Sequence, residues 1–264
     1  MSAATDLSRY ADFLAWLDEQ GEADPDLRCV WIGGSAATGG WDEHSDLDVE
    51  ALAVEGTSTE LYRRLLSGIV ETFSPTSVWE LPESTYDDGR QCFVTFDPSP
   101  GDLTTPTRLV DIVVWETTDH HRHVDVRRHG TPIVRFDPDG LLVLRHDDEA
   151  DQRRGMEETI SQIRQRRLVG EWLVNRAIAR DHLPEAVSLY LRFALTPVVQ
   201  LLRARDCPER HDYGLRYLHT DLLPEDVDRI VQLLPGVERL RELSAECFAW
   251  QDELINTVRD PAAR

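Results

Sequence analysis

One short stretch constrains this chain more than any other. The apolar run Leu27 to Ile32 ends in Gly33-Gly34-Ser35, and after ten intervening residues Asp46-Leu47-Asp48 opens a second apolar run that reaches Val54. The pattern predicts two strands, with a glycine-rich turn closing the first. Side chains alternate along a strand, so Asp46 and Asp48 project to the same face. Gly33 and Gly34 let the backbone approach a phosphate with no Cβ in the way, and Ser35 adds a hydroxyl. Paired carboxylates facing such a turn suit a magnesium–nucleoside triphosphate, because Mg2+ takes hard oxygen ligands and bridges carboxylates to phosphates. An Asp-x-Asp alone would be weak in a chain this acidic; the spacing from the Gly-Ser turn makes it specific.

Gly34-Ser35 followed by Ser45-Asp46-Leu47-Asp48 resembles the signature of the nucleotidyltransferase superfamily, which includes DNA polymerase β and the small antibiotic-modifying nucleotidyltransferases. The match is specific over residues 30 to 54 and looser beyond. It implies an α+β fold: an N-terminal nucleotidyltransferase mixed sheet with flanking helices, then a C-terminal α-helical bundle. It also implies that Asp46 and Asp48 bind Mg2+, and that Gly34 and Ser35 hold the β- and γ-phosphates of ATP or another triphosphate. In that family a later strand supplies a third carboxylate, either a metal ligand or the catalytic base.

Asp111 matches that place. It lies inside Leu109-Val-Asp-Ile-Val-Val-Trp115, a strongly β-branched run. A charge within such a run is disfavoured unless it is paired or bound to metal. The alternative is an edge-strand Asp turned to solvent.

The remaining pattern predicts helices over 6–20 and 58–73, the second capped by Ser58, and strands over 77–81, 91–96 and 133–136. Gly21 to Pro25 should break the first helix. The prolines of 97–106 mark a loop. Asp119-His120-His121-Arg122-His123 has no cysteine partner and reads as a solvated loop rather than a zinc site. From about residue 148 strand-like runs give way to 3.6-residue periodicity, which divides the chain into a nucleotidyltransferase domain over 1–148 and a helical domain over 149–264. Helices are expected over 149–181, 183–205 with a kink at Pro197, 213–219, 224–234 and 237–259. In the antibiotic-modifying branch the C-terminal helices supply contacts to nucleotide and acceptor. The resemblance thus offers Arg203, Arg205, His211 and Tyr213 as contacts to phosphates or base, against a plain surface-loop reading.

Charge narrows the partners. The 28 cations and 49 acids give a net charge of −21, and every cation is arginine. An acidic, lysine-free globular chain fits a protein kept soluble in high salt; a GC-rich genome with a merely acidic surface is the alternative. Either way, a broad nucleic-acid surface is disfavoured, since it needs a basic stripe. The four cysteines, Cys29, Cys92, Cys207 and Cys247, form no Cys-x-x-Cys pair and read as buried free thiols of a reducing compartment. No signal-like N-terminus and no apolar run of about 18 residues is evident, so a cytoplasmic protein off the membrane is expected. Nothing sets the oligomeric state.

The expected activity is Mg2+-dependent transfer of a nucleoside monophosphate, AMP in the ATP case, to a hydroxyl of a small cationic acceptor such as an aminoglycoside. Two other readings compete: modification of a protein or tRNA, as in toxin–antitoxin systems, and a non-catalytic antitoxin or binding module on the same fold.

Overall fold

The computed structural model describes residues 5–96, 108–118 and 120–257. The loop expected over 97–106, Asp119 and the last helical residues past Thr257 lie outside them. The chain divides into two compact units, Met1–His146 and Asp147–Arg264.

The first unit is a mixed sheet with helices. Its elements are α1 (Ala11–Ala23), β1 (Leu27–Ile32), α2 (Gly34–Thr38), β2 (Leu47–Ala53), α3 (Ser58–Phe73), β3 (Ser77–Glu80), β4 (Gly89–Thr95), β5 (Leu109–Glu116), β6 (His123–Asp125), α4 (Val126–His129), β7 (Ile133–Phe136) and β8 (Val143–Arg145). Six strands form one sheet in the order β3-β4-β5-β2-β1-β7, and β6 pairs with β8 apart from it. Only the β2–β5 pair of the large sheet is parallel. Antiparallel neighbours can be joined by short turns, whereas a parallel pair needs a crossover; between β2 and β5 the chain runs through α3 and the β3–β4 hairpin.

One face of the sheet carries Leu47, Val49, Ala51, Cys92, Val94, Val110, Ile112 and Val114 into a core with Phe13, Leu17, Leu61, Leu65 and Ile69 of α1 and α3. Period-2 apolar positions on the strands meet 3.6-period positions on the helices. α1 does not break at Gly21; it runs on to Ala23. A Cβ at Gly21 would come within 2.7 Å of the Phe136 ring, so the glycine serves helix–strand packing. Nor does Ser58 cap α3 with its side chain. The Glu116 carboxylate, at the end of β5, accepts from the backbone N–H groups of Gly56 and Ser58 at 2.6 and 3.1 Å, which places a negative charge at the helix N-terminus.

The opposite face is split. Toward the ends of β2 and β5, Cys29, Trp31 and Leu52 are covered by Trp115, Val124, Leu141 and Leu142. The segment after β5 is therefore ordered cover, not the solvated loop expected there. His121 stacks on Trp115 with ring centroids 4.3 Å apart and bonds Asp88 at 2.9 Å. Trp115 is close to His121 in sequence, but the partner Asp88 lies 33 residues away, beyond a local reading.

The second unit is a helical bundle: α5 (Glu149–Ala179), α6 (Leu183–Tyr190), α7 (Thr196–Asp206), α8 (Leu218–Asp221), α9 (Pro224–Leu233) and α10 (Leu240–Thr257). α6 and α7 are joined by a single π-helical stretch, Leu191–Leu195, in place of a kink. Pro197 has no N–H for the Phe193 carbonyl four residues back, and its ring crowds it. The wider turn relieves the crowding. Buried Gln251 of α10 donates its amide to the carbonyls of Phe193 and Ala194, each at 3.3 Å. The run Leu183–Asp206 is long and apolar enough to cross a membrane by length and composition alone; here its side chains Tyr190, Leu195, Val198 and Leu202 are buried in the bundle core. The expected 213–219 helix is instead the single turn α8, half of it beyond His219 in the chain. Gly214 at φ +59° and Tyr217 at φ +55° keep the preceding segment out of a helix.

Candidate functional site

The turn after β1 is not a bare loop. Gly34 begins α2 at φ +54°, a conformation open to glycine at little cost. A Cβ at Gly34 would overlap the Asp48 carboxylate outright. Glycine is thus required twice at this position, for its dihedral and for the room it leaves. The Gly33 N–H donates to the Asp48 carbonyl at 2.9 Å, which ties the turn to β2. Ser35 Oγ is buried with no hydrogen-bond partner among the described residues. Downstream, the Thr131 N–H donates to the Ala37 carbonyl at 3.0 Å and fixes the far end of α2.

Asp48 and Asp111 are register partners on the parallel strands β2 and β5. Directly paired residues share a face, and Asp46, just ahead of β2, lies near enough for its charge to act on Asp111. All three carboxylates are half-buried. Asp111 accepts from the Gln91 side-chain amide at 2.6 Å. Burial pushes the Asp111 carboxyl above its ordinary range; the Gln91 bond opposes this and the nearby Asp46 charge adds to it. A charge inside a β-branched strand is therefore part of a carboxylate group rather than an isolated edge acid.

Two further residues extend the group. Glu50, two along from Asp48, accepts from the Trp115 indole N–H at 3.3 Å. Burial raises its carboxyl, the indole bond lowers it and the Asp111 charge raises it again. The alternation Asp46-Leu-Asp-Val-Glu50 was the available signal for Glu50. Gln91 had none, since its role depends on the β4–β5 pairing.

The entry to Asp46 is held from the N-terminal segment. Arg9 donates to the carbonyls of Glu43 and Ser45, and the fully buried Tyr10 donates its hydroxyl to the Leu109 carbonyl at 3.0 Å. These residues fix the starts of β2 and β5, the two strands that carry the carboxylates. Among the described residues, no three His, Cys, Asp or Glu side chains gather as a ready-made metal cluster.

The helical-unit candidates have local duties. Arg203 is fully buried, paired with Asp221 at 2.6 Å and bonded to the carbonyls of Gly214 and Arg216. Its guanidinium is committed to holding the 213–217 segment, so we assign it no nucleotide contact. Arg205 pairs with Asp206 and Asp226. His211 bonds the Pro208 carbonyl at 3.1 Å. Tyr213 is half-buried, with the guanidinium groups of Arg203 and Arg210 each 5.9 Å from its ring centroid.

The sequence matches no known protein-family profile, and no curated protein is significantly similar to it.

Proposed function

We propose that this protein is a Mg2+-dependent nucleotidyltransferase of the polymerase β-like fold, cytoplasmic, transferring AMP from ATP to a hydroxyl of a small cationic acceptor such as an aminoglycoside. The observation that carries the reading is the pairing of Asp48 with Asp111 across parallel strands, under a glycine whose missing Cβ leaves room for the Asp48 carboxylate.

The donor set fits the metal. Mg2+ is commonly held by one or two carboxylates plus substrate phosphate oxygens, and Asp46 and Asp48 would be those carboxylates. Bound there, the ion would neutralise phosphate charge that builds up in the transition state. The unpartnered Ser35 hydroxyl and the backbone of the Gly33–Ser35 turn would hold the terminal phosphates. Asp111, oriented by Gln91 and with its carboxyl raised by burial, would take the proton of the acceptor hydroxyl, a role worth about 10²–10⁴ in rate. Most of the remaining acceleration would come from positioning. The carboxylates and the −21 net charge favour a cationic acceptor over a polyanion.

The test is incubation with labelled ATP and Mg2+ against aminoglycosides, total tRNA and cell protein in separate reactions. Label should appear on the aminoglycoside, and Asp111→Asn should slow it by about 10²–10⁴. Label only on tRNA or protein would overturn the acceptor class, and no label with no pyrophosphate release would overturn the activity.

A further inference from the structure

A single row of register partners crosses four strands of the sheet: Trp79 on β3, Phe93 on β4, Asp111 on β5 and Asp48 on β2. Directly paired residues share a face, so all four project to the side that carries the carboxylates. Two contacts bear this out. The Trp79 and Phe93 rings are stacked, with centroids 5.1 Å apart and planes at 22°, and Gln91, two residues from Phe93, reaches Asp111. Trp79 is 60% exposed even with Phe93 stacked against it. An indole left open on a sheet face costs solvation, and here it continues the carboxylate row outward.

The row has a direction. Its β2 end abuts the Gly33–Ser35 turn, where the reading above places the phosphates that leave as pyrophosphate. Phosphoryl transfer is in line, with the attacking oxygen opposite the leaving one. The acceptor oxygen therefore approaches from the β5 side, and the rest of the acceptor lies over β4 and β3. Strands are about 4.8 Å apart, so the Trp79–Phe93 pair begins one strand from Asp111, within the span of a single sugar ring.

We propose that Trp79 and Phe93 form the acceptor subsite: an amino-sugar ring lays its apolar face on the stacked pair, with an ammonium group near the indole face and a hydroxyl aimed at Asp111. Cation–π attraction adds to the ring stacking. In the step itself, the acceptor oxygen bonds the α-phosphorus of ATP, the bond from that phosphorus to pyrophosphate breaks, and the hydroxyl proton passes to Asp111. The subsite rests on the nucleotidyltransferase reading but is tested apart from it.

The experiment is isothermal titration of the protein, loaded with Mg2+ and a non-hydrolysable ATP analogue, with kanamycin as the ring-bearing probe and spermine as a ringless polycation. Trp79 is exposed, so Trp79→Ala and Trp79→Phe should fold, and circular dichroism checks this. Kanamycin should bind wild type, weaken about ten-fold in Trp79→Ala and largely recover in Trp79→Phe, while spermine and the nucleotide analogue bind all three alike. Kanamycin binding unchanged in Trp79→Ala, an equal loss for spermine, or no kanamycin binding to wild type would overturn the subsite. Failure of wild type to bind the nucleotide analogue would instead sink the nucleotidyltransferase reading.

Discussion

At the scale of single residues, two positions decide the site, and each makes a prediction. Gly34 combines φ +54° with a Cβ position already filled by the Asp48 carboxylate. Gly34→Ala should cost at least about 1 kcal/mol in backbone strain alone, and it should displace Asp48. Thermal melts and nucleotide titration should both register the change, whereas Gly40→Ala, with no atom nearer than Thr38 Oγ1 at 3.7 Å, should alter neither. Glu50 predicts a pH effect. Its carboxyl is raised in the folded protein, chiefly by burial, so the folded state binds the proton more tightly than the unfolded one. Stability from this group is then full at acid pH and falls as pH rises through the ordinary carboxylate range toward the raised value. Glu50→Gln keeps an acceptor for Trp115 and removes the charge. It should melt above wild type at pH 7, and the advantage should vanish at acid pH. A variant that melts below wild type at pH 7 would contradict the burial account.

At the scale of elements, the bundle solves a proline inside a helix by widening one turn and lending a side chain to the stranded carbonyls. Gln251→Met keeps the volume and removes both donors, so it should destabilise the helical unit by about 1–3 kcal/mol, read by denaturant titration. This device also shows what a linear reading can reach. Pro197 announced a disturbance at the right place, but whether it would be a kink or a wide turn depended on Gln251, over fifty residues away. The strands β1, β2 and β5 and the acids on them were legible, because alternation and apolar runs are local signals. Gln91 beside Asp111, Glu116 at the start of α3, and Trp79 in line with Asp48 were not legible, because each follows from strand pairing. Arg203 misled for the same reason: a polar neighbourhood in sequence gave no sign of its buried partner Asp221.

At the scale of the whole molecule, the net charge of −21 is the dominant fact. Self-repulsion of that size is screened by salt, with a Debye length of about 3 Å at 1 M against about 30 Å at 0.01 M. If the acidity is an adaptation to brine, melting temperature should fall steadily as KCl is lowered from molar to low millimolar. A flat profile would leave codon bias as the origin of the arginine-only cation set. The central claim concerns the carboxylates rather than the surface, and one measurement meets it directly: isothermal titration of ATP into wild type and Asp48→Asn, each with Mg2+ and with EDTA. The account predicts that wild type binds ATP only with Mg2+, and that Asp48→Asn loses this binding at least about ten-fold while keeping the wild-type circular dichroism spectrum. ATP binding that ignores Mg2+, or that survives intact in Asp48→Asn, would contradict it.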